Sequence, residues 1–134
     1  MAPGRIARYV IDPGTTLRER RSASADHKLV APARLRSDVL SALYEQVRQG
    51  ALDDRTGRRE LEGFAELSIR LLGDRVSRST AWTIARDLDW ADAGPAEYLA
   101  VAKLQADTLI ADDPHLTAGA KGLIPVAGYD SLFA

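Results

Sequence analysis

Two short apolar runs, far apart in this chain, each end in acidic residues. Tyr9 to Ile11 is followed by Asp12, and Thr108 to Ala111 is followed by Asp112 and Asp113. Short apolar runs of this kind are typical of buried strands in a parallel sheet. In open α/β sheets, ligands bind beyond the carboxyl ends of the strands. We therefore expect these distant acids to face one crevice.

The composition is that of an ordinary globular domain. The chain has 134 residues, of which 46% are hydrophobic and 28% are charged, so we expect a single domain over residues 1–134. There is no cysteine and there are only two histidines, so any metal site must consist mainly of oxygen ligands. We find neither a signal peptide nor an apolar run of about 20 residues. We therefore expect a cytoplasmic protein without a membrane segment.

The charge is distributed unevenly along the chain. Residues 1–86 contain 16 Lys and Arg against 11 Asp and Glu, whereas residues 87–134 contain 2 against 8. Fifteen of the 18 basic residues are arginine, and guanidinium groups suit phosphate oxygens. Two interpretations remain open. The arginines lie on solvated helix faces, or they hold a polyanion against the acidic half.

Strand-like and helix-like segments alternate along the sequence. Pro13 and Gly14 predict a turn after the first strand, and residues 29–31 predict a second strand. Apolar spacing predicts a helix from about Arg34 to Gly50 and another from about Thr56 to Leu72. A short strand at residues 74–76 and helices starting near Ser77 or Ser79 and at Pro95 follow. The alternation predicts an α/β fold, a three-layer α/β/α sandwich around a small central parallel sheet.

Four acids are candidates for a shared site: Asp12, Asp38, Glu97 and Asp113. Three or four converging carboxylates can hold Mg²⁺ or Mn²⁺, which activates water and neutralises charge when a phosphodiester is cleaved. Each acid also has a structural interpretation, because carboxylates are common in turns and at helix N-termini. Their order along an α/β chain favours the shared site.

The segments that carry these acids resemble the PIN-domain family, and specifically VapC-type toxin ribonucleases. Together they span nearly the whole chain: Tyr9–Asp12, Lys28–Pro32 leading into Leu35–Leu43, Ala96–Ala102 and Thr108–Asp113. The resemblance implies a Mg²⁺- or Mn²⁺-dependent endoribonuclease that cleaves structured RNA. It also implies a homodimer that is inhibited by a partner antitoxin protein.

Carried over by position, the resemblance gives each acid a counterpart. Asp12 matches the aspartate of the first strand, and Asp113 matches the aspartate after the last core strand. Asp38 stands where a glutamate is usual. All three are thereby predicted to be catalytic metal ligands.

The chain departs from the family at the third acid, which normally lies three residues before the tyrosine that Tyr98 represents. Pro95 occupies that place. Glu97 or Asp92 is the substitute that the sequence offers, and we predict Glu97 as the fourth catalytic and metal-binding residue. Pro95 also favours an alternative function, a PIN-like interaction protein that binds an antitoxin or RNA with little or no cleavage.

Two further predictions concern phosphate binding. Arg34 and Arg36 precede Asp38 and are predicted to contact RNA phosphates. Residues 12–16 also resemble the phosphate-binding turn of actin-like kinases and ATPases. Those proteins enclose their nucleotide between two related domains, which 134 residues cannot supply.

Overall fold

The computed structural model describes residues 8–18 and 28–128. These ranges contain four strands and six helices, which follow one another along the chain in this order: β1 (Arg8–Ile11), α1 (Pro13–Arg18), β2 (Lys28–Pro32), α2 (Leu35–Arg48), α3 (Asp54–Ala65), β3 (Ile69–Leu72), α4 (Arg75–Asp87), α5 (Ala96–Gln105), β4 (Thr108–Ile110) and α6 (Pro114–Ala120). None of the helices in these ranges is long and apolar enough to cross a bilayer.

The strands form one parallel sheet in the order β3-β2-β1-β4. Val10 of β1 lies opposite Val30 of β2 on one side and opposite Leu109 of β4 on the other. The predicted three-layer α/β/α sandwich is confirmed. The chain runs outward from β1 through β2 to β3 and then returns to place β4 on the other side of β1. The carboxyl ends of β1 and β4 are therefore a topological switch point, the position at which open α/β sheets bind ligands.

The helix α5 lies at the centre of the larger hydrophobic core. Its residues Tyr98–Ala102 are all buried, as expected for a helix that is surrounded by other elements. It packs against β1, β2, α4 and α6. This position brings the first turn of α5 close to the ends of the central strands, which matters for the site described below.

The predicted helix from Thr56 to Leu72 is wrong in its second half. Helix α3 ends at Ala65, and Ile69–Leu72 is strand β3, which pairs in parallel with β2 from Leu29 to Pro32. Apolar residues spaced three and four apart continued the helical pattern across this boundary. Pairing with the edge of β2 satisfies the backbone of these residues, and this tertiary contact overrides the local pattern.

The start of α4 also differs from the prediction. Asp74 accepts a hydrogen bond from the amide of Ser77, and the Ser77 hydroxyl accepts one from the amide of Asp74. This reciprocal capping box starts the helix at Arg75, so the strand predicted at residues 74–76 is wrong. After β1, Pro13 begins the short helix α1 rather than only a turn.

The buried position of α5 yields a stability prediction. Leu99 is 1% exposed, whereas Leu104 on the same helix is 40% exposed. Replacing Leu99 by Ala should lower the free energy of unfolding by about 2–5 kcal/mol, because the substitution leaves a cavity in the core. Replacing Leu104 by Ala should cost less than about 1 kcal/mol. Urea denaturation of both variants measures the difference, and equal losses would contradict the central placement of α5.

Candidate functional site

Asp12 joins the ends of the two central strands through its carboxylate. It follows β1 directly and is 1% exposed. Its Oδ1 accepts a hydrogen bond from the Thr15 amide at 2.8 Å. Its Oδ2 accepts hydrogen bonds from the amides of Asp112 and Asp113, at 2.9 and 3.0 Å. The expectation that the two acidic strand ends meet is therefore correct for Asp12 and the backbone of residues 112 and 113.

The structure distinguishes the two acids that follow β4. Asp113 caps α6, with its Oδ1 accepting the amide of His115 at 2.9 Å. The carboxylate of Asp112 instead packs against the start of α1, where a Cβ added to Gly14 would lie 3.1 Å from Oδ2 of Asp112. Asp113 was the predicted ligand, and the structure gives it a capping contact. Asp112 is the acid whose side chain lies beside the Asp12 turn.

Asp38, in the first turn of α2, is held by two donors from different parts of the chain. The Tyr98 hydroxyl donates to Oδ2 of Asp38 at 2.7 Å. Arg34 donates from Nε to Oδ2 at 2.7 Å and from Nη2 to Oδ1 at 3.1 Å, a bidentate pair. The hydrogen bond to Asp38 raises the pKa of Arg34 above its ordinary value, so the guanidinium stays charged.

Tyr98 lies within the field of both Asp12 and Asp38. It is 2% exposed. Burial, the hydrogen bond to Asp38 and the negative charges of Asp38 and Asp12 raise the pKa of Tyr98 far above the usual tyrosine value. The protonated hydroxyl therefore remains a donor to Asp38.

The predicted substitute acids have different positions. Glu97, in the first turn of α5, directs Oε2 toward Nη1 of Arg34 at 3.8 Å. Asp92 is exposed, and its Oδ1 accepts the amide of Gly94 at 2.9 Å, which supports the turn before α5. Pro95 is the N-cap residue of α5, directly before its first residue, Ala96. Of the two candidates, Glu97 is the one near Asp38, and Arg34 lies between them.

The acidic edge is the carboxyl end of the sheet with the side chains of Asp12, Asp38, Asp112 and Glu97. Its donor atoms suit a hard cation, but they are not gathered around one point. The side chains of Asp12, Asp38, Asp112 and Glu97 offer carboxylate oxygens, which Mg²⁺ and Mn²⁺ prefer. The Thr15 hydroxyl is buried and has no hydrogen-bond partner among the described residues. Within the described ranges, no three acidic or histidine side chains are placed to share an ion as they stand. Arg34 is the cation that Asp38 contacts.

The two arginines predicted to bind RNA differ in their surroundings. Arg36 is exposed on α2. Arg34 is half-buried and contacts the two carboxylates of Asp38 and Glu97. Arg36 is therefore the better placed of the two to meet a phosphate from solvent.

Three contacts of the site were not predicted from the sequence: the Arg34–Asp38 ion pair, the position of the Asp112 side chain beside Gly14, and the Tyr98–Asp38 hydrogen bond. The spacing of Arg34 and Asp38, four residues apart on a helix, is a recognisable ion-pair signal. Asp113 before Pro114 is the favoured arrangement of a helix cap, which leaves Asp112 as the acid for the crevice. The contact of Tyr98 with Asp38 spans 60 residues, and no local pattern predicts it.

Comparison with known proteins identifies the fold. No protein-family model matches the chain, and no curated protein matches it. The crystal structure of PAE2754 from Pyrobaculum aerophilum is similar, with a TM-score of 0.67 and 18% sequence identity. The match covers 95% of this chain and 94% of that chain. At this identity the similarity concerns the fold alone.

The hydrogen bonds of Asp12 predict a structural cost for its amide variant. An Asn side chain at residue 12 places an NH₂ group against at least one backbone amide that now donates to a carboxylate oxygen. Asp12→Asn should therefore lower the free energy of unfolding by about 1–3 kcal/mol. Asp113→Asn is the matched control, because Asn caps helices as well as Asp. Urea denaturation that finds the two variants equally stable would contradict this role of Asp12.

The raised pKa of Tyr98 predicts a loss of stability in alkali. In the unfolded chain Tyr98 ionises near its ordinary value, about pH 10, whereas in the folded chain it keeps its proton to higher pH. The contribution is present below about pH 10 and is lost as the pH rises further, because the unfolded state then binds fewer protons. Denaturation between pH 8 and about pH 11 should show a smaller decline for Tyr98→Phe than for the exposed control Tyr44→Phe. Equal declines would contradict the prediction.

Proposed function

We propose that this protein is a ribonuclease that uses Mg²⁺ or Mn²⁺, the cytoplasmic toxin of a toxin-antitoxin pair. The single observation that carries the proposal is the position of Asp12. Its carboxylate lies at the switch point of a parallel sheet and contacts the acidic end of β4. The resemblance of four segments to VapC-type toxins supports the same function, and so does the sandwich fold. An antitoxin partner and a homodimer are parts of this proposal that rest on the resemblance alone.

The residues at this edge have separable roles in the proposed reaction. Asp12, Asp38 and Asp112 would hold the ion, with Glu97 as the fourth acid in place of the one lost at Pro95. When bound, the ion supplies an activated water and neutralises charge on the scissile phosphate. Backbone amides fix the orientation of Asp12, and the Tyr98 hydroxyl fixes that of Asp38.

The proposed substrate is RNA, bound through its phosphates. Arg36 is exposed on α2, where its guanidinium can meet a phosphate from solvent. Arginine-rich segments of the first 86 residues supply further guanidinium groups of the type that binds phosphate.

A second function, a PIN-like interaction protein without nuclease activity, is favoured by a different observation. Pro95 removes one acid, and Arg34 places a positive charge between Asp38 and Glu97. An ion pair of this kind neutralises an acidic edge without any metal. Such a protein would bind RNA or an antitoxin and leave the RNA intact.

Incubation of structured RNA with the purified protein tests the two functions. We expect cleavage in Mg²⁺ or Mn²⁺ and none in EDTA. Asp112→Asn should abolish cleavage, because it removes a carboxylate beside Asp12, whereas Asp113→Asn should retain it, because Asn still caps α6. Asp12→Asn is a poorer probe, since its effect on folding would mimic a loss of catalysis.

Three results contradict the ribonuclease proposal. Cleavage that persists in EDTA would exclude metal dependence, and cleavage that survives Asp112→Asn would exclude the assigned site. RNA that is bound but not cut in either metal would favour the interaction protein.

A further inference from the structure

Arg34 contacts two acids that come from different helices. Its guanidinium binds both oxygens of Asp38 in α2 and lies 3.8 Å from Oε2 of Glu97 in α5. Nε and Nη2 face Asp38, whereas Nη1 faces Glu97. The flat, three-sided guanidinium thus joins α2 to the first turn of α5. The guanidinium therefore forms an ion pair with each of the two carboxylates, Asp38 and Glu97.

The guanidinium of Arg34 can occupy this position because residue 94 is a glycine. A Cβ added to Gly94 would overlap Nη1 of Arg34 and lie 2.7 Å from its Cζ, so no other residue type at position 94 leaves room for the guanidinium where it stands. Gly94 does not lie in the left-handed region of positive φ, so its backbone conformation accepts alanine. The atoms in the way are the far end of a flexible side chain, which can move.

We propose that Arg34 competes with a divalent cation for Asp38 and Glu97, so that an ion binds these acids only when the guanidinium leaves them. The inference rests on the proposed function and specifies how its site is controlled. Arg34 is a positioning residue in this scheme, and it holds the acids in an arrangement that excludes the ion.

Charge and sterics both support the competition. A cation that approaches Asp38 meets the fixed charge of Arg34 at contact distance, and two positive charges repel strongly in a partly buried site. The oxygens of Asp38 that an ion would use already accept hydrogen bonds from Arg34. Removal of the guanidinium frees these oxygens from their hydrogen bonds to Arg34. It also leaves the negative charges of Asp38 and Glu97 without this positive partner.

Two variants test the proposal by different routes. Arg34→Gln removes the charge, whereas Gly94→Ala keeps every charge of the protein and displaces the guanidinium by sterics alone. Arg48→Gln, at the opposite end of α2 and exposed, is the control for loss of a positive charge. Isothermal titration calorimetry with Mn²⁺ on the full chain measures the affinity directly.

We expect the Mn²⁺ affinity to rise about tenfold in Arg34→Gln and in Gly94→Ala, the size of effect that one neighbouring charge has on a carboxylate. Arg48→Gln should match the parent chain. Adding Asp38→Asn to Arg34→Gln should cancel the gain, which places the ion at Asp38. A merely structural role for Arg34 would instead weaken Mn²⁺ binding, because the acids would lose their fixed positions.

Gly94→Ala decides the outcome, since it removes no charge and tests the displacement itself. An affinity that is unchanged or weaker in Gly94→Ala overturns the proposal, whatever Arg34→Gln shows. If Gly94→Ala binds Mn²⁺ more tightly but no variant cuts RNA, the competition stands and the ribonuclease proposal fails.

Discussion

The buried carboxylate of Asp12 accepts hydrogen bonds from three backbone amides, two of which belong to residues at the far end of the chain. A buried acid needs such partners, because an uncompensated charge in the interior is costly. The same hydrogen bonds hold β4 beside β1 at the switch point of the sheet. The geometry of the acidic edge therefore depends on this one side chain.

At Asp38, the acidic edge is held by contacts between side chains rather than by backbone amides. Arg34 and Tyr98 both donate to Asp38, and Glu97 adds a longer contact to Arg34. These groups come from α2 and α5, whose first turns lie close together because α5 fills the centre of the core. The acids of the edge are thus held in two separate ways, by backbone amides at Asp12 and by a guanidinium and a hydroxyl from side chains at Asp38.

The sequence predicted the fold class and the strands that end in acids, because apolar runs followed by aspartate are a local signal. It failed at β3, where Ile69–Leu72 continues a helical pattern and only pairing with β2 decides its conformation. At the site, the place of Asp38 in the first turn of α2 was predictable from helical spacing. The contact of Tyr98 with Asp38 and the closeness of Gly94 to Arg34 arise from tertiary packing, which no local pattern encodes.

The hydrogen bonds between residue 12 and residues 112 and 113 also determine when the acidic edge forms during synthesis. Domains assemble as the chain emerges from the ribosome, N-terminal part first, and a contact across 100 positions forms only after residues 112 and 113 have emerged. A nascent polypeptide that lacks β4 holds Asp12 without two of its three amide donors. The acidic edge is thus completed only after β4 has been synthesised and has joined the sheet.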